Sequence, residues 1–212
     1  MLFNIIIGLW VSAGLVLGFA MPSADNLVKT PIAFFHVPMA VSMIVAFIVS
    51  GWNGARWLKT RDARHDSLSL AFAEVGTACA VIALITGSIW AKLNWNSYWN
   101  WDPQQVGIVA TLLTYAAMFA LRGATEESDK QRDLWAVYAI IGVLAAIFWT
   151  TVLRRLMPSL HPDKPLFESN GLFKFALWFN VIGYVMVITR LAQMRARLET
   201  ALARAREWQW EV

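Results

Sequence analysis

LSLAFAEVGTACAVIALITGSIWAKLNWNSYWNWD, running from Leu68 to Asp102, joins two kinds of sequence end to end. From about Leu68 to Trp90 the only charged residue is Glu74, and an apolar run of that length crosses a bilayer core as a helix. From Trp90 to Asp102 the character changes. Trp90, Trp95, Trp99 and Trp101, four of the twelve tryptophans in the chain, fall with Tyr98 and Asp102 in a short segment that does not span. If this segment is helical, Trp95, Trp99 and Asp102 share one face at i, i+4, i+7, and Asn94, Tyr98 and Trp101 share a neighbouring one. A spanning helix that ends in an amphipathic aromatic plate points to an all-α integral membrane protein.

The composition agrees. Of 212 residues 58% are hydrophobic and 15% charged, and the mean hydropathy is +0.51, far from the usage of a soluble domain. The length accommodates about six spans of roughly 20 residues, so the expected organisation is a single six-helix membrane domain over residues 1–212. The one cysteine, Cys79, lies in an apolar run, which leaves no intrachain disulfide and no C-x-x-C motif. No G-x-x-x-x-G-K-[ST] occurs, so an ATP-driven step belongs to a partner. No serine, cysteine or carboxylate constellation marks a catalytic site, and the chain is expected not to be an enzyme.

The remaining spans follow from hydropathy. Leu2–Ala20 is charge-free and lacks the basic start of a signal peptide, so it is read as span one. Pro31 is expected as the first helical residue of span two, with Thr30 as N-cap and an end near Gly51. Trp52 to Ser67 is read as a basic loop. Span four is expected over Gln105 to Leu121, span five over Leu134 to Leu153 and span six over Leu172 to Ile188. Between spans four and five, Thr125 to Asp133 reads as a mixed-charge turn. The proline-rich loop after span five holds His161, and a basic helical tail occupies about residues 190–212.

Charge sets the expected orientation. Arg56, Lys59, Arg61, Arg64, Arg122, Lys130, Arg132, Arg190, Arg195, Arg197, Arg204 and Arg206 fall on one side, against Lys29, Lys92, Arg154, Arg155, Lys164 and Lys174 on the other. By the positive-inside rule the first side is cytoplasmic, with both termini inside. His36, the aromatic plate (about residues 90–103) and His161 then all face outward from the cytoplasmic membrane. The net charge of +4 is thus topological, and no nucleic-acid partner is expected.

Two histidines on one membrane face, with aromatic rings between them in sequence, suit a flat apolar ligand with a metal centre. Haem needs axial imidazole, apolar surface for its faces and cations or donors for its propionates. His36 and His161 are the candidate axial ligands, and Trp95, Tyr98, Trp99, Trp101 and Asp102 the candidate platform. Lys92, Arg154, Arg155 and Lys164 are candidate propionate partners. Alternatives stand beside each assignment. Tryptophan gathers at membrane interfaces in any case, a reading that Trp52, Trp57, Trp135 and Trp149 already carry. A histidine at a helix end also serves as an interfacial polar residue. Asp102 is well placed to cap the helix beginning at Pro103. Glu74, inside a span, is either functional or engaged in snorkelling or helix packing, and His65 is read as a solvated loop residue.

The run TGSIWAK at Thr86–Lys92, followed by WNSYWNWDP at Trp95–Pro103, resembles the tryptophan-rich WWD signature of the haem-handling proteins of cytochrome c maturation. FHVP at Phe35–Pro38 and His161 are similar to the external histidines that flank that signature. Six spans without a large soluble domain resemble the CcmC branch more than the larger CcsA synthases. The resemblance implies that haem b is held at the periplasmic face by His36, His161 and the plate. It further implies delivery to a periplasmic haem chaperone of the CcmE type, in the lipid bilayer alongside a CcmA/CcmB-like ABC-transporter complex. A short CcsA-like subunit of a haem-attaching synthase is the rival, and a plain transporter centred on Glu74 a third. Two positions depart from the family pattern: Asn96 stands where glycine is usual, and Gln104 where a basic residue is common.

Overall fold

Six helices among the described residues are long and apolar enough to cross a membrane, which bears out the all-α membrane architecture. The computed structural model describes residues 2–20, 31–161 and 171–209. Helix α1 is Leu2–Ala20, α2 Ala33–Thr60, α3 Ala63–Trp95, α4 Pro103–Ala124 and α5 Asp129–Ile147. A π-helical turn, Phe148–Val152, joins α5 to the short α6, Leu153–Leu156, and α7 is Gly171–Gln209.

Helix α2 is the hub, packed along α3 and also against α5 and α7, while α4 lies on α5, the π turn and α3. The seams are lined by small residues. Ala46, Ala73, Ala80, Ala136 and Ala139 are at most 1% exposed, which lets backbones approach where lipid supplies no hydrophobic drive between helices. Met43, Phe47, Tyr115 and Trp135 fill the space between them, with the Phe47 and Tyr115 rings stacked at 3.7 Å. Helix α1 packs on α7 and buries only Ile7, Gly14 and Gly18.

Several expected boundaries move. Span two does not end near Gly51. Helix α2 continues to Thr60 and α3 begins at Ala63, so the expected basic loop shrinks to Arg61, a left-handed C-cap with φ 60°, and Asp62, the N-cap of α3. The extension is held by partners that hydropathy does not see. Ser50 donates to the Ser69 carbonyl at 2.7 Å, and His65, on α3 rather than in a loop, meets Asn53 at 3.1 Å. Trp57 and Trp135 are not belt residues. Each is 2% exposed, and their indole N–H groups donate to Asp133 and Ser69. Helix α2 starts at Ala33, and Pro31 precedes it, accepting from the Phe34 N–H; Thr30 lies outside the described residues. The turn before α5 is shorter than expected because Ser128 caps a helix that starts at Asp129. As far as Gln209 the tail beyond Ile188 is an unbroken part of α7; residues 210–212 lie outside the described ones.

Candidate functional site

The plate is not a short helix. Helix α3 ends at Trp95, where Asn96 takes a left-handed C-cap conformation with φ 57°. Trp101 is also left-handed, at φ 55°. Asp102 is extended, at ψ 139°, as the residue before a proline prefers. The loop between is braced by Gln105 of α4. Its amide donates to the Tyr98 carbonyl at 2.9 Å and accepts from the Asn100 N–H at 2.8 Å.

Asp102 caps α4, accepting from the Gln104 N–H at 2.9 Å, and does considerably more. Its carboxylate accepts from the Ser159 hydroxyl at 2.8 Å and the Leu160 N–H at 2.6 Å. His161 Nδ1 meets its other oxygen at 2.8 Å. One carboxylate, 3% exposed, therefore ties the segment after α6 to the start of α4. Burial works to raise its pKa, but the hydrogen bonds from Gln104, Leu160 and Ser159 and the neighbouring His161 outweigh it, and the net direction is down. For His161 burial prevails over the attraction of Asp102 and lowers its pKa, so the imidazole is neutral at neutral pH. A neutral ring that donates from Nδ1 leaves Nε2 as a lone-pair donor, the form a metal ligand needs.

His36 enters from the first turns of α2, where its N–H is bonded to the Ile32 carbonyl. Its Nδ1 lies 3.2 Å from the Thr86 hydroxyl of α3. The ring fits because residue 87 is glycine: a Cβ there would lie 2.7 Å from His36 Cε1. His36 and His161 line one cavity of about 340 Å³, walled by Val37, Ala40, Val41, Ile44, Leu84 and Ile108. Gln104, Gln105, Thr150 and Thr151 are among its polar lining residues. The Gln104 Oε1 is buried and has no hydrogen-bond partner. Two imidazoles and apolar walls suit an apolar guest with a metal centre that already carries other ligands. A bare ion fits less well, since no group of three or more His, Cys, Asp or Glu gathers among the described residues.

The other residues expected at the site divide. Trp95 packs edge-on against His161 with centroids 5.0 Å apart. Tyr98 and Trp101 are 59% and 77% exposed, and Trp99 stands edge-on to Trp101 at 5.7 Å. They form an aromatic outer surface and are not among the residues lining the cavity. Lys92 is engaged at the α3 terminus, donating to the Asn96 carbonyl at 3.1 Å and lying over the Tyr98 ring. Arg154 and Arg155 border a surface hollow with Met157, Pro158 and Ser159. Lys164 lies outside the described residues. Glu74 is paired with Arg195 of α7 at 2.8 Å, a helix-packing role. Sequence reasoning placed Trp90, which stacks on His161 at 6.0 Å, in the aromatic stretch but not on the platform, since it also reads as the apolar end of a span. It missed Thr86, Gln105 and Ser159 as partners. The PQQ after Asp102 was the available signal for Gln105, because a polar pair inside the first turn of a spanning helix needs a reason.

Known proteins place this architecture. Over 192 residues the chain is 29% identical to Heme exporter protein C of Paracoccus denitrificans, covering 88% of this chain and 80% of that one. It is 24% identical to Heme exporter protein C of Escherichia coli K12 over 215 residues, or 93% of this chain and 82% of the other. An identity of 30% to the cytochrome c biogenesis protein CcsA of Prochlorococcus marinus extends over 94 residues, only 44% of this chain and 30% of that protein. The family model for CcmC, Heme exporter protein C, matches residues 1–211, and the chain belongs to that family.

Proposed function

We propose that this protein binds haem at the outer face of the cytoplasmic membrane and hands it to a periplasmic haem chaperone for c-type cytochrome maturation. The observation that carries the reading is the convergence of His36 and His161 on one apolar cavity that also holds the orphaned Gln104 acceptor. Haem as cargo brings an iron with two axial positions and a broad apolar face. His36 and His161 supply the axial lone pairs, and the α2 and α3 side chains exclude water from one side of the ring. Trp95 and Trp90 back His161, and Gln105 and Asp102 hold the loop that carries Tyr98, Trp99 and Trp101. Of these rings Tyr98 and Trp101 are exposed, and they offer the surface for a docking chaperone. Haem b fits this arrangement because axial imidazoles and apolar walls hold it without a covalent thioether.

Binding and delivery, rather than covalent attachment, is the reading that the extent of the resemblance supports. The chain spans most of its Heme exporter protein C relatives and under a third of the CcsA protein. With no nucleotide-binding motif of its own, it is expected to work beside CcmA- and CcmB-like ABC-type subunits. The test is absorption spectroscopy of the detergent-purified chain. Wild type is expected to show a low-spin haem spectrum that is lost or altered in both His36→Ala and His161→Ala. Unchanged haem occupancy in the two variants would defeat the assignment.

A further inference from the structure

The two histidines are held by chemically different partners. His161 Nδ1 is 2.8 Å from an ionised carboxylate oxygen of Asp102. His36 Nδ1 is 3.2 Å from the Thr86 hydroxyl, whose single proton is committed to the Ile82 carbonyl at 2.8 Å. With that proton so directed, Thr86 Oγ1 is left to accept, which assigns the donor role to His36 Nδ1; the only other hydrogen-bond partner of this ring among the described residues is the Ala83 backbone, also neutral. Both rings therefore carry their proton on Nδ1 and keep Nε2 free for the cavity. An imidazole whose N–H faces a carboxylate gains basicity at its other nitrogen, whereas one facing a neutral hydroxyl gains little.

We infer that Asp102 and Thr86 are positioning residues for an unequal pair of axial ligands, with His161 the firm ligand and His36 the one that yields when haem is handed on. This rests on the reading of haem as the cargo. It places release on the α2 side of the cavity: haem stays tethered to His161 beside the exposed Tyr98 and Trp101 rings while an incoming ligand takes the position that His36 vacates. Asp102 suits the firm side because it simultaneously anchors Ser159 and Leu160, so His161 cannot swing away without breaking the whole bracket.

The test uses the full chain in detergent loaded with haem, with two readouts: release to excess apomyoglobin, and the midpoint potential from a spectroelectrochemical titration. His161→Gly is expected to release haem about tenfold or more faster than His36→Gly, the range typical of lost support around a metal ligand. Asp102→Asn is expected to raise the midpoint potential, because a less basic ligand stabilises ferric iron less. Asp102→Glu, which keeps a carboxylate, is expected to hold the potential closer to the wild-type value than Asp102→Asn does. Thr86→Asp, lending His36 a carboxylate, is expected to lower the potential and slow release. The inference is overturned if His161→Gly holds haem as long as His36→Gly, if Asp102→Asn leaves the potential unchanged, or if Asp102→Glu shifts it as far as Asp102→Asn does. The histidine comparison stands even if Asp102→Asn fails to fold. Wild type without bound haem overturns the cargo reading instead, which keeps the two failures apart.

Discussion

Trp101 is an exposed aromatic residue at φ 55°, a conformation that costs a residue with a Cβ about 1–2 kcal/mol. Such strain persists where surrounding structure over-determines it and function uses the side chain. Here Gln105 braces the loop on one side and Asp102 on the other. Trp101→Gly is therefore expected to stabilise the protein by about 1 kcal/mol, read as a higher thermal midpoint in detergent, while lowering retained haem; a loss of both would assign the ring a packing role. Asn96 shares the left-handed conformation but tolerates it, since asparagine is the next-best residue to glycine at a helix C-terminus. Its departure from the family pattern is thus conservative in backbone terms. At the opposite end, Asp62 caps α3 and pairs with Arg64. The Arg64 side chain, followed by its backbone N–H, lowers the Asp62 pKa to about 2. A depressed carboxyl pKa means that the cap's contribution is complete above the ordinary carboxylate range and is lost as pH falls through about 2. A carbon-13 titration of the Asp62 carboxyl in micelles is expected to show that low midpoint, and a value near 4 would contradict the pairing.

At the scale of elements, the π turn is the feature with most bearing on the cavity. Phe148–Val152 widens the helix where α4 crosses it, and Thr150 and Thr151 from this turn line the cavity. The crossing is so close that a Cβ on Gly107 would lie 2.1 Å from the Trp149 carbonyl oxygen. Gly107→Ala is expected to push the two elements apart, costing about 1–3 kcal/mol as overpacking does and perturbing the haem spectrum through the displaced threonines. A variant with wild-type stability and spectrum would show that the crossing is loose. None of this was legible in the sequence. The spans were, because hydropathy reports the apolar thickness that a helix must cross. Hydropathy does not report where the helix stops, and α2 reaches Thr60 because Ser50, Asn53 and Trp57 find partners on α3 and α5. The plate's 3.6-residue periodicity is real, but only its first turns, as far as Trp95, are helical. Pro103 requires an extended Asp102, and the chain reverses through Asn96 and Trp101.

On the scale of the whole molecule, polar chemistry is divided between two ends. Asp66 and Trp90 both lie on α3, 24 residues apart, which at helical rise separates them by roughly 36 Å. At the Asp66 end, Arg122 forms a two-pronged pair with Asp66 at 2.9 and 2.7 Å and lies over the Trp135 ring; Arg61 pairs there with Asp133. Removing one partner of so buried a pair is expected to cost about 3–5 kcal/mol. Arg122→Ala is therefore predicted to lower the thermal midpoint sharply while leaving the haem spectrum of the folded fraction unchanged. A spectral shift would mean that the ends communicate. The other end holds His36, His161 and the loop, brought together across 59 residues of sequence between Asp102 and His161, a distance no local pattern encodes. The sequence ordered these residues but could not close that contact. By the positive-inside rule, the excess of lysine and arginine at the Asp66 end and on the C-terminal part of α7 predicts that this end is cytoplasmic. Because the single cysteine, Cys79, is buried, cysteines can be added without removing it. In intact spheroplasts a membrane-impermeant maleimide is expected to label Trp101→Cys at once and Lys59→Cys only after permeabilisation. The reverse order would place the haem end in the cytoplasm and exclude handover to a periplasmic chaperone.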